Sequence, residues 1–262
     1  MMPMNLIDAH CHLTYEQFAD IDSVVQRSID AGVTGWITIG TDVTESIKAI
    51  DLTNRFENMF ATIAIHPHHA KLTDPQAVDE LKKLAQNKNI VAIGETGLDY
   101  HYEFSTREQQ RDSFLRHIEL ASELKLPVVI HSREAFDETL KILDEFGTGL
   151  KGVVFHCFSG SVDQAKAVLE RGWYISLTGV VTFKNAEKTR EAARYVPINR
   201  LMIETDAPYL SPEPMRKQKV NEPALLVHTA RFIAGLKGLE LAKFTEQVTA
   251  TTKQFFSLPL DF

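Results

Sequence analysis

The sequence has little cysteine and no long apolar run. Only two cysteines, Cys11 and Cys157, occur in 262 residues, too few for a disulfide framework, and we interpret both as small buried hydrophobes. No stretch of eighteen apolar residues is present, so no membrane span is predicted. The first residues lack a basic segment followed by an apolar one, so no signal peptide is predicted either. These features favour a cytoplasmic protein.

Positive charge is also scarce. The chain has 28 Lys and Arg residues against 35 Asp and Glu residues, a formal net charge of −7. This argues against sequence-independent wrapping of nucleic acid by a broadly basic surface. An anionic substrate held locally by metal ions and a few basic side chains remains compatible with it. With 44% hydrophobic and 24% charged residues, the chain can bury a sizeable core.

Short apolar runs alternate with helical patterns along the whole chain. Eight of these runs are predicted strands, ending near residues 7, 39, 65, 94, 130, 155, 177 and 203. The runs are continuous, which is typical of a parallel sheet covered on both faces. Because an α/β barrel takes about 250 residues, we predict an α/β fold of the (β/α)8 TIM barrel type. Extra C-terminal helices are predicted at about 223–236 and 239–256.

An open doubly wound sheet is the alternative architecture. It is disfavoured because no glycine-rich dinucleotide fingerprint follows the first predicted strand. The sequence also contains no linker and no low-complexity tract. We therefore predict one domain over residues 1–262.

Ionisable side chains follow six of the eight predicted strands. In a barrel, the residues at the carboxyl ends of the strands carry the chemistry. The groups at these ends are His10 and His12, His66, Glu95 and Asp99, His131 and Arg133, His156, and Glu204 and Asp206. One such residue is usually structural, but six matching positions indicate a metal centre.

The ligand types indicate two divalent cations. Alternation along a strand turns His10 and His12 to one side and Cys11 to the other. The expected metal ligands are His10, His12, Glu95, His131, His156 and Asp206. Asp206 belongs with the first two histidines and can also accept a proton, and Glu95 can bridge both ions, so these two are the expected catalytic residues. Mixed His and carboxylate ligands admit Zn, Mg or Mn.

Two further residues are expected to bind substrate. His66 can donate to a substrate oxygen, and the fork of the Arg133 guanidinium suits a phosphate. A loop-capping histidine and a salt-bridged arginine are equally good interpretations of these residues. Of the other histidines, two are expected to be solvated, His68 and His69, and three to be structural, His101, His117 and His228.

Six motifs in the chain resemble those of the TatD family of metal-dependent deoxyribonucleases, within the amidohydrolase-like barrel enzymes. They occupy residues 8–13, 65–68, 94–100, 131–133, 156–160 and 204–210, and Asn221-Glu222-Pro223 matches a further family signature. The basic loop from Arg216 to Asn221 lacks a glycine often found in the family. The family's ligand positions correspond to the six expected ligands. The resemblance implies phosphodiester hydrolysis by a metal-bound hydroxide at a two-metal site, often as a 3′–5′ exonuclease.

We therefore expect a deoxyribonuclease that acts on DNA single strands or strand ends. The alternative is an amide or ester hydrolase, such as an aminoacyl ester deacylase, because the same metal site also serves an acyl carbon and a fold does not fix a function. A binding protein with a vestigial site is disfavoured, because every expected ligand type is present. A monomer is compatible with the sequence.

Overall fold

The structure, a computed structural model, describes residues 4–259. Within these residues it has eight strands and nine α-helices. The strands are β1 (Leu6–Cys11), β2 (Val33–Ile39), β3 (Met59–Ile63), β4 (Ile90–Asp99), β5 (Val128–Arg133), β6 (Val153–Phe155), β7 (Tyr174–Leu177) and β8 (Leu201–Ile203). The helices are α1 (Ile21–Ala31), α2 (Val43–Arg55), α3 (Pro75–Leu84), α4 (Arg107–Leu124), α5 (Phe136–Phe146), α6 (Val162–Glu170), α7 (Glu187–Tyr195), α8 (Leu226–Leu236) and α9 (Leu241–Phe256).

The strands form one sheet in chain order from β1 to β8. Adjacent strands run parallel, as in the pairs β1 with β2 and β4 with β5. β1 also lies beside β8, since a parallel bridge joins Cys11 to Ala207 just beyond β8. The predicted (β/α)8 TIM barrel is confirmed, and α8 and α9 are the extra helices expected after β8. No helix within the described residues is long and apolar enough to cross a membrane.

The chain divides into two compact units. The first unit comprises the residues up to Thr38 and those from Cys157 onward, and the second is Ile39–His156. Each has its own buried apolar side chains, among them Trp36 in the first and Phe114 in the second. The organisation as one domain over residues 1–262 stays a prediction.

The helices begin where the sequence places capping residues. Asp20, Asp42 and Asp74 each accept a hydrogen bond from a backbone N–H in the first turn of the helix that follows. Such side chains satisfy N–H groups that have no partner within the helix. These three side chains therefore fix the starts of α1, α2 and α3.

β4 departs most from the sequence prediction. The apolar run predicts a strand that ends at Gly94, but β4 continues to Asp99, with a shift in register between Ile93 and Thr96. Gly97 has φ +139°, and a Cβ there would lie 2.1 Å from the carbonyl oxygen of His131 on β5. Only glycine fits this close approach. Glu95 therefore lies within a strand, where an irregularity of this kind can re-aim its side chain.

We expect Gly97→Ala to lower the free energy of unfolding by at least about 2 kcal/mol, because the added Cβ both strains the backbone and collides with β5. Urea denaturation measures this loss. Gly235→Ala is the matched control: it lies in α8, where nothing comes within 4 Å of an added Cβ, and should stabilise by about 0.5–1 kcal/mol. A G97A protein as stable as the parent would contradict the close packing of β4 on β5.

Candidate metal centre

In the first unit, three expected ligands lie together. His10 Nε2 and His12 Nε2 are 3.3 Å apart, and Asp206 Oδ1 lies 3.2 Å from His12 Nε2 and 3.7 Å from His10 Nε2. Ligands bound to one ion at about 2.0–2.2 Å stand roughly 3.0–3.6 Å from each other. His10, His12 and Asp206 therefore fit a single divalent cation.

Backbone contacts between β1 and the segment after β8 set this geometry. The N–H of Asp206 donates to the carbonyl oxygen of His10 (2.9 Å). The N–H of His12 donates to the carbonyl oxygen of Ala207 (2.7 Å). The buried Asp8 carboxylate accepts from the N–H and the hydroxyl of Thr205, at 2.9 and 2.5 Å. Burial raises the pKa of Asp8 to about 8, although the bonds from Thr205 lower it. Asp206 is thus held beside both histidines.

Asn221 braces the same segment from its other side. Its buried amide donates to the carbonyl oxygens of Thr205 (3.0 Å) and Tyr209 (2.6 Å), which flank Asp206 in the chain. The next residue, Glu222, forms an ion pair with Arg27 at 2.6 Å. The Asn221-Glu222-Pro223 signature therefore has a positioning role in this structure.

In the second unit, one carboxylate oxygen is surrounded by three imidazole nitrogens. Glu95 Oε1 lies 2.6 Å from both His131 Nδ1 and His156 Nε2, and 3.4 Å from His66 Nε2. His131 Nδ1 is 3.4 Å from the nitrogens of both other histidines. Ligand atoms of His66, Glu95 and His131 are close enough together to hold a metal ion. Glu95, His131 and His156 are the candidate metal centre of the second unit, with His66 beside them.

The hydrogen bonds of His66 distinguish it from the other two histidines. His66 Nδ1 accepts a hydrogen bond from the N–H of His68 (3.1 Å), so the network assigns the ring proton to Nε2. Burial lowers the pKa of His66 to about 3, which keeps the ring neutral. His66 therefore offers an N–H donor toward Glu95, which suits a substrate oxygen better than a cation.

Asp99, for which the sequence predicted no role, orients His131. Asp99 Oδ2 lies 3.0 Å from His131 Nε2 and 2.8 Å from His68 Nε2. Asp99 Oδ1 accepts from the N–H groups of His101 and Tyr102, each at 2.9 Å. Burial opposes the charge, but the bonds from His131, His68 and Tyr102 outweigh it and hold the pKa of Asp99 well below its usual range. A carboxylate behind a histidine in this way fixes the ring and its tautomer.

Because Asp99 engages His131 Nε2, the other ring nitrogen, Nδ1, faces Glu95 at 2.6 Å. Burial lowers the pKa of His131, but the hydrogen bonds to Asp99 and Glu95 outweigh burial and raise it above the ordinary value. The Glu95 carboxylate would stabilise either a proton or a metal cation placed between it and His131 Nδ1. A proton and a metal cation therefore compete for this position. The residues present thus fit a divalent ion.

Some expectations about individual residues are wrong. His68 was expected to be solvated, but its side chain is half-buried, with 24% exposed, and it pairs with Asp99. Cys11 is buried as predicted, but Cys157 is half-buried, and its N–H donates to the buried Glu204 (2.6 Å). Arg133 is exposed, with its guanidinium carbon 4.7 Å from the ring centroid of Tyr102. Its role in substrate binding stays a prediction.

His117 is structural, as predicted. Its Nε2 accepts from the N–H of Ile65 (2.9 Å) and its Nδ1 donates to the carbonyl of Ser113 (2.7 Å). Burial lowers its pKa to about 4, whereas the bond to Ser113 opposes this. The side chain links α4 to the end of β3 as a neutral ring.

We expect His117 to make stability fall in mild acid. Between pH about 6.5 and 4 the unfolded chain binds a proton that native His117 does not, so its contribution is complete above pH 6.5 and is lost toward pH 4, by up to about 1.4 kcal/mol per pH unit. Urea unfolding at pH 7 and pH 5 should show a smaller difference for His117→Gln than for the parent. The exposed His69→Gln control should show the same stability difference between pH 7 and pH 5 as the parent. A difference in H117Q equal to that of the parent would contradict the role of His117 in acid sensitivity.

We expect Asp99→Asn to weaken the binding of one divalent ion by roughly 10- to 100-fold. An amide that still accepts from the backbone N–H groups turns its NH2 toward His131, which must then move its proton to Nδ1 and lose the lone pair there. Calorimetric titration of the metal-free protein with Zn²⁺ measures this without an activity assay. The exposed Asp112→Asn serves as the control, and equal affinities in the two variants would contradict the role of Asp99.

Comparison with known proteins assigns the chain to a family. Residues 7–257 match the family model described as TatD related DNase. The chain is 39% identical over 259 residues to the uncharacterized metal-dependent hydrolase YcfH of Escherichia coli K12, covering 97% of each. It is 40% identical over 260 residues to the 3′-5′ ssDNA/RNA exonuclease TatD of Erwinia billingiae, covering 97% of this chain and 100% of the relative.

A solved structure has the same architecture. The crystal structure of YJJV, a TatD homologue from Escherichia coli K12, superimposes with a TM-score of 0.92 at 26% identity and covers 98% of this chain and 100% of that one. The fold, the His and Glu cluster and the match over nearly the whole sequence all indicate the same family. The chain belongs to the TatD family and is a metal-dependent hydrolase of the TatD type.

Proposed function

We propose that the protein is a phosphodiesterase that removes nucleotides from a DNA end in the 3′–5′ direction. The observation that carries the proposal is the Glu95 oxygen 2.6 Å from both His131 Nδ1 and His156 Nε2. Such a site can hold a cation, and cations in hydrolases neutralise charge on a phosphoryl oxygen and lower the pKa of water. The exonuclease name of the relative from Erwinia billingiae supports the same choice of substrate.

Two sets of ligands are proposed, one in each unit. His10, His12 and Asp206 would hold one ion, and Glu95, His131 and His156 would hold another. Zn, Mg and Mn all suit these mixed donor sets. Bridging of two ions by Glu95 stays a prediction. The cytoplasmic location of the protein also stays a prediction.

The protein's own side chains supply proton transfer and orientation. Asp206, held beside two imidazoles, would accept the proton of the attacking water as general base. His66, with its proton on Nε2, would donate to a non-bridging phosphate oxygen. Arg133 would contact the phosphate from the exposed end of β5, where its guanidinium presents several N–H donors.

An oligonucleotide labelled at its 5′ end tests the direction of cleavage. We expect a ladder of labelled products that shorten one nucleotide at a time when Mg²⁺, Mn²⁺ or Zn²⁺ is supplied, and none with a chelator. Immediate release of a labelled mononucleotide would show the opposite polarity. Hydrolysis of p-nitrophenyl acetate without cleavage of DNA would instead support an ester hydrolase.

We expect Asp206→Asn to slow DNA hydrolysis by roughly 10²- to 10⁴-fold, because the amide cannot take the proton. The amide oxygen remains a ligand, so the variant should still bind metal, which elemental analysis after dialysis would measure. Asp163→Asn, an exposed position on α6, is the control and should retain the parent rate. Parent-like turnover by D206N would remove Asp206 from the mechanism.

A further inference from the structure

The loop between β4 and α4 exposes two large aromatic side chains. Tyr102 is 41% exposed and Phe104 is 62% exposed. Their rings stack, with centroids 5.7 Å apart and planes 16° from parallel. The two neighbouring rings form a small apolar surface, which can serve as a contact for a flat apolar group.

Hydrogen bonds hold this loop in place. The buried Ser105 hydroxyl donates to the carbonyl of His68 (3.1 Å). The side chain of Gln110 accepts from the N–H of Asp99 (2.8 Å) and donates to the carbonyls of Asp99 (2.9 Å) and Ser105 (3.1 Å). The N–H of Tyr102 donates to the Asp99 carboxylate. The aromatic pair is therefore presented by a braced backbone, so little order has to be gained on binding.

The pair is separated by a single side chain, His68, from the candidate metal ligand His131. The ring of His68 lies 5.0 Å from that of Phe104 and 5.5 Å from that of Tyr102. The ring of His131 is 6.1 Å beyond His68. One imidazole thus separates the aromatic pair from His131, so a group bound on these rings would lie close to the reacting phosphate.

A cation accompanies the aromatic pair. Arg133 lies against the face of Tyr102 and follows the ligand His131 by two residues on β5. Its neighbour Glu134 lies 2.7 Å from His101 Nδ1 and so has a partner of its own. Sites for single-stranded nucleic acid combine aromatic rings that stack on bases with basic groups that contact the backbone. A chain with net charge −7 depends on such local contacts rather than on a broad basic surface.

We propose that Tyr102 and Phe104 form a stacking surface for an unpaired base of a single-stranded nucleic acid, whose backbone contacts Arg133. This inference rests on the proposed function, because the bound base would belong to the strand cleaved near His131. A base stacked within a duplex does not offer its face to these rings. The surface thus selects single strands.

The test measures binding without cleavage. A fluorescent single-stranded oligonucleotide is titrated with the full-length protein in the presence of a chelator, and its anisotropy gives Kd. Replacing both Tyr102→Leu and Phe104→Leu should weaken binding roughly 5- to 150-fold, as expected from loss of base stacking. The parent should bind a base-free deoxyribose phosphate chain of equal length about as weakly as the double variant binds the oligonucleotide. Phe146→Leu, an exposed position at the end of α5, is the matched control and should bind as the parent does.

Equal binding by the double variant and the parent overturns the stacking surface, as does equal binding of the oligonucleotide and the base-free chain. Far-UV circular dichroism verifies that each variant is folded, and the single variants should each show part of the loss. Failure of the proposed function is a separate result: the parent would bind single strands through these rings but release no nucleotide with metal present. Conversely, the protein could release nucleotides while the double variant binds the oligonucleotide as tightly as the parent. That result would support the proposed function and contradict the stacking surface.

Discussion

A carboxylate can be buried only where donors or cations surround it, and Glu95 imposes this condition on the second unit. Its side chain is almost fully buried, and an unpaired charge in such a place costs several kcal/mol. His131 and His156 bring nitrogen atoms to 2.6 Å from its oxygen. Asp99 holds the proton of His131 on the far nitrogen. A cation bound there would contact the carboxylate and both nitrogens at once, whereas a single proton bridges only one nitrogen to the oxygen.

The first unit satisfies a buried carboxylate in another way. Asp8 accepts hydrogen bonds from Thr205, and burial raises its pKa to about 8, so the side chain is largely uncharged at pH 7 and needs no cation. The same bonds tie β1 to the segment after β8, so they also bring Asp206 to His10 and His12. The contacts that stabilise the sheet where β8 meets β1 are therefore those that set the spacing of the ligands, since both depend on one backbone segment.

The apolar runs predicted the strands and which residues follow them, because a parallel sheet buries both faces of every strand. Alternation predicted that His10 and His12 share a side. The extension of β4 to Asp99 could not be predicted from the apolar run, because glycines at 94 and 97 interrupt it while allowing the close approach to β5. Packing contacts between strands are not visible in one strand's sequence.

The partners of the ligands were harder to predict than the ligands. A histidine or carboxylate at a strand end is visible as a residue type in a pattern, whereas the pairing of His68 with Asp99 depends on the short 3-10 helix Pro67–Leu72 that carries His68. Asp8 shows the same limit, since its partner Thr205 is nearly two hundred residues away in the chain. Long-range hydrogen bonds of loops leave no periodic signal.

Asp99 connects ligand geometry to the aromatic loop. One of its oxygens accepts from His131 and His68, and the other accepts from backbone N–H groups of the loop, including that of Tyr102. A shift of this loop would move the carboxylate and therefore the ring that it orients. Asp99 would likewise orient His131 toward a bound cation, because it engages the ring nitrogen on the opposite side from Glu95. This one side chain therefore joins the loop that carries Tyr102 and Phe104 to the expected metal ligand His131.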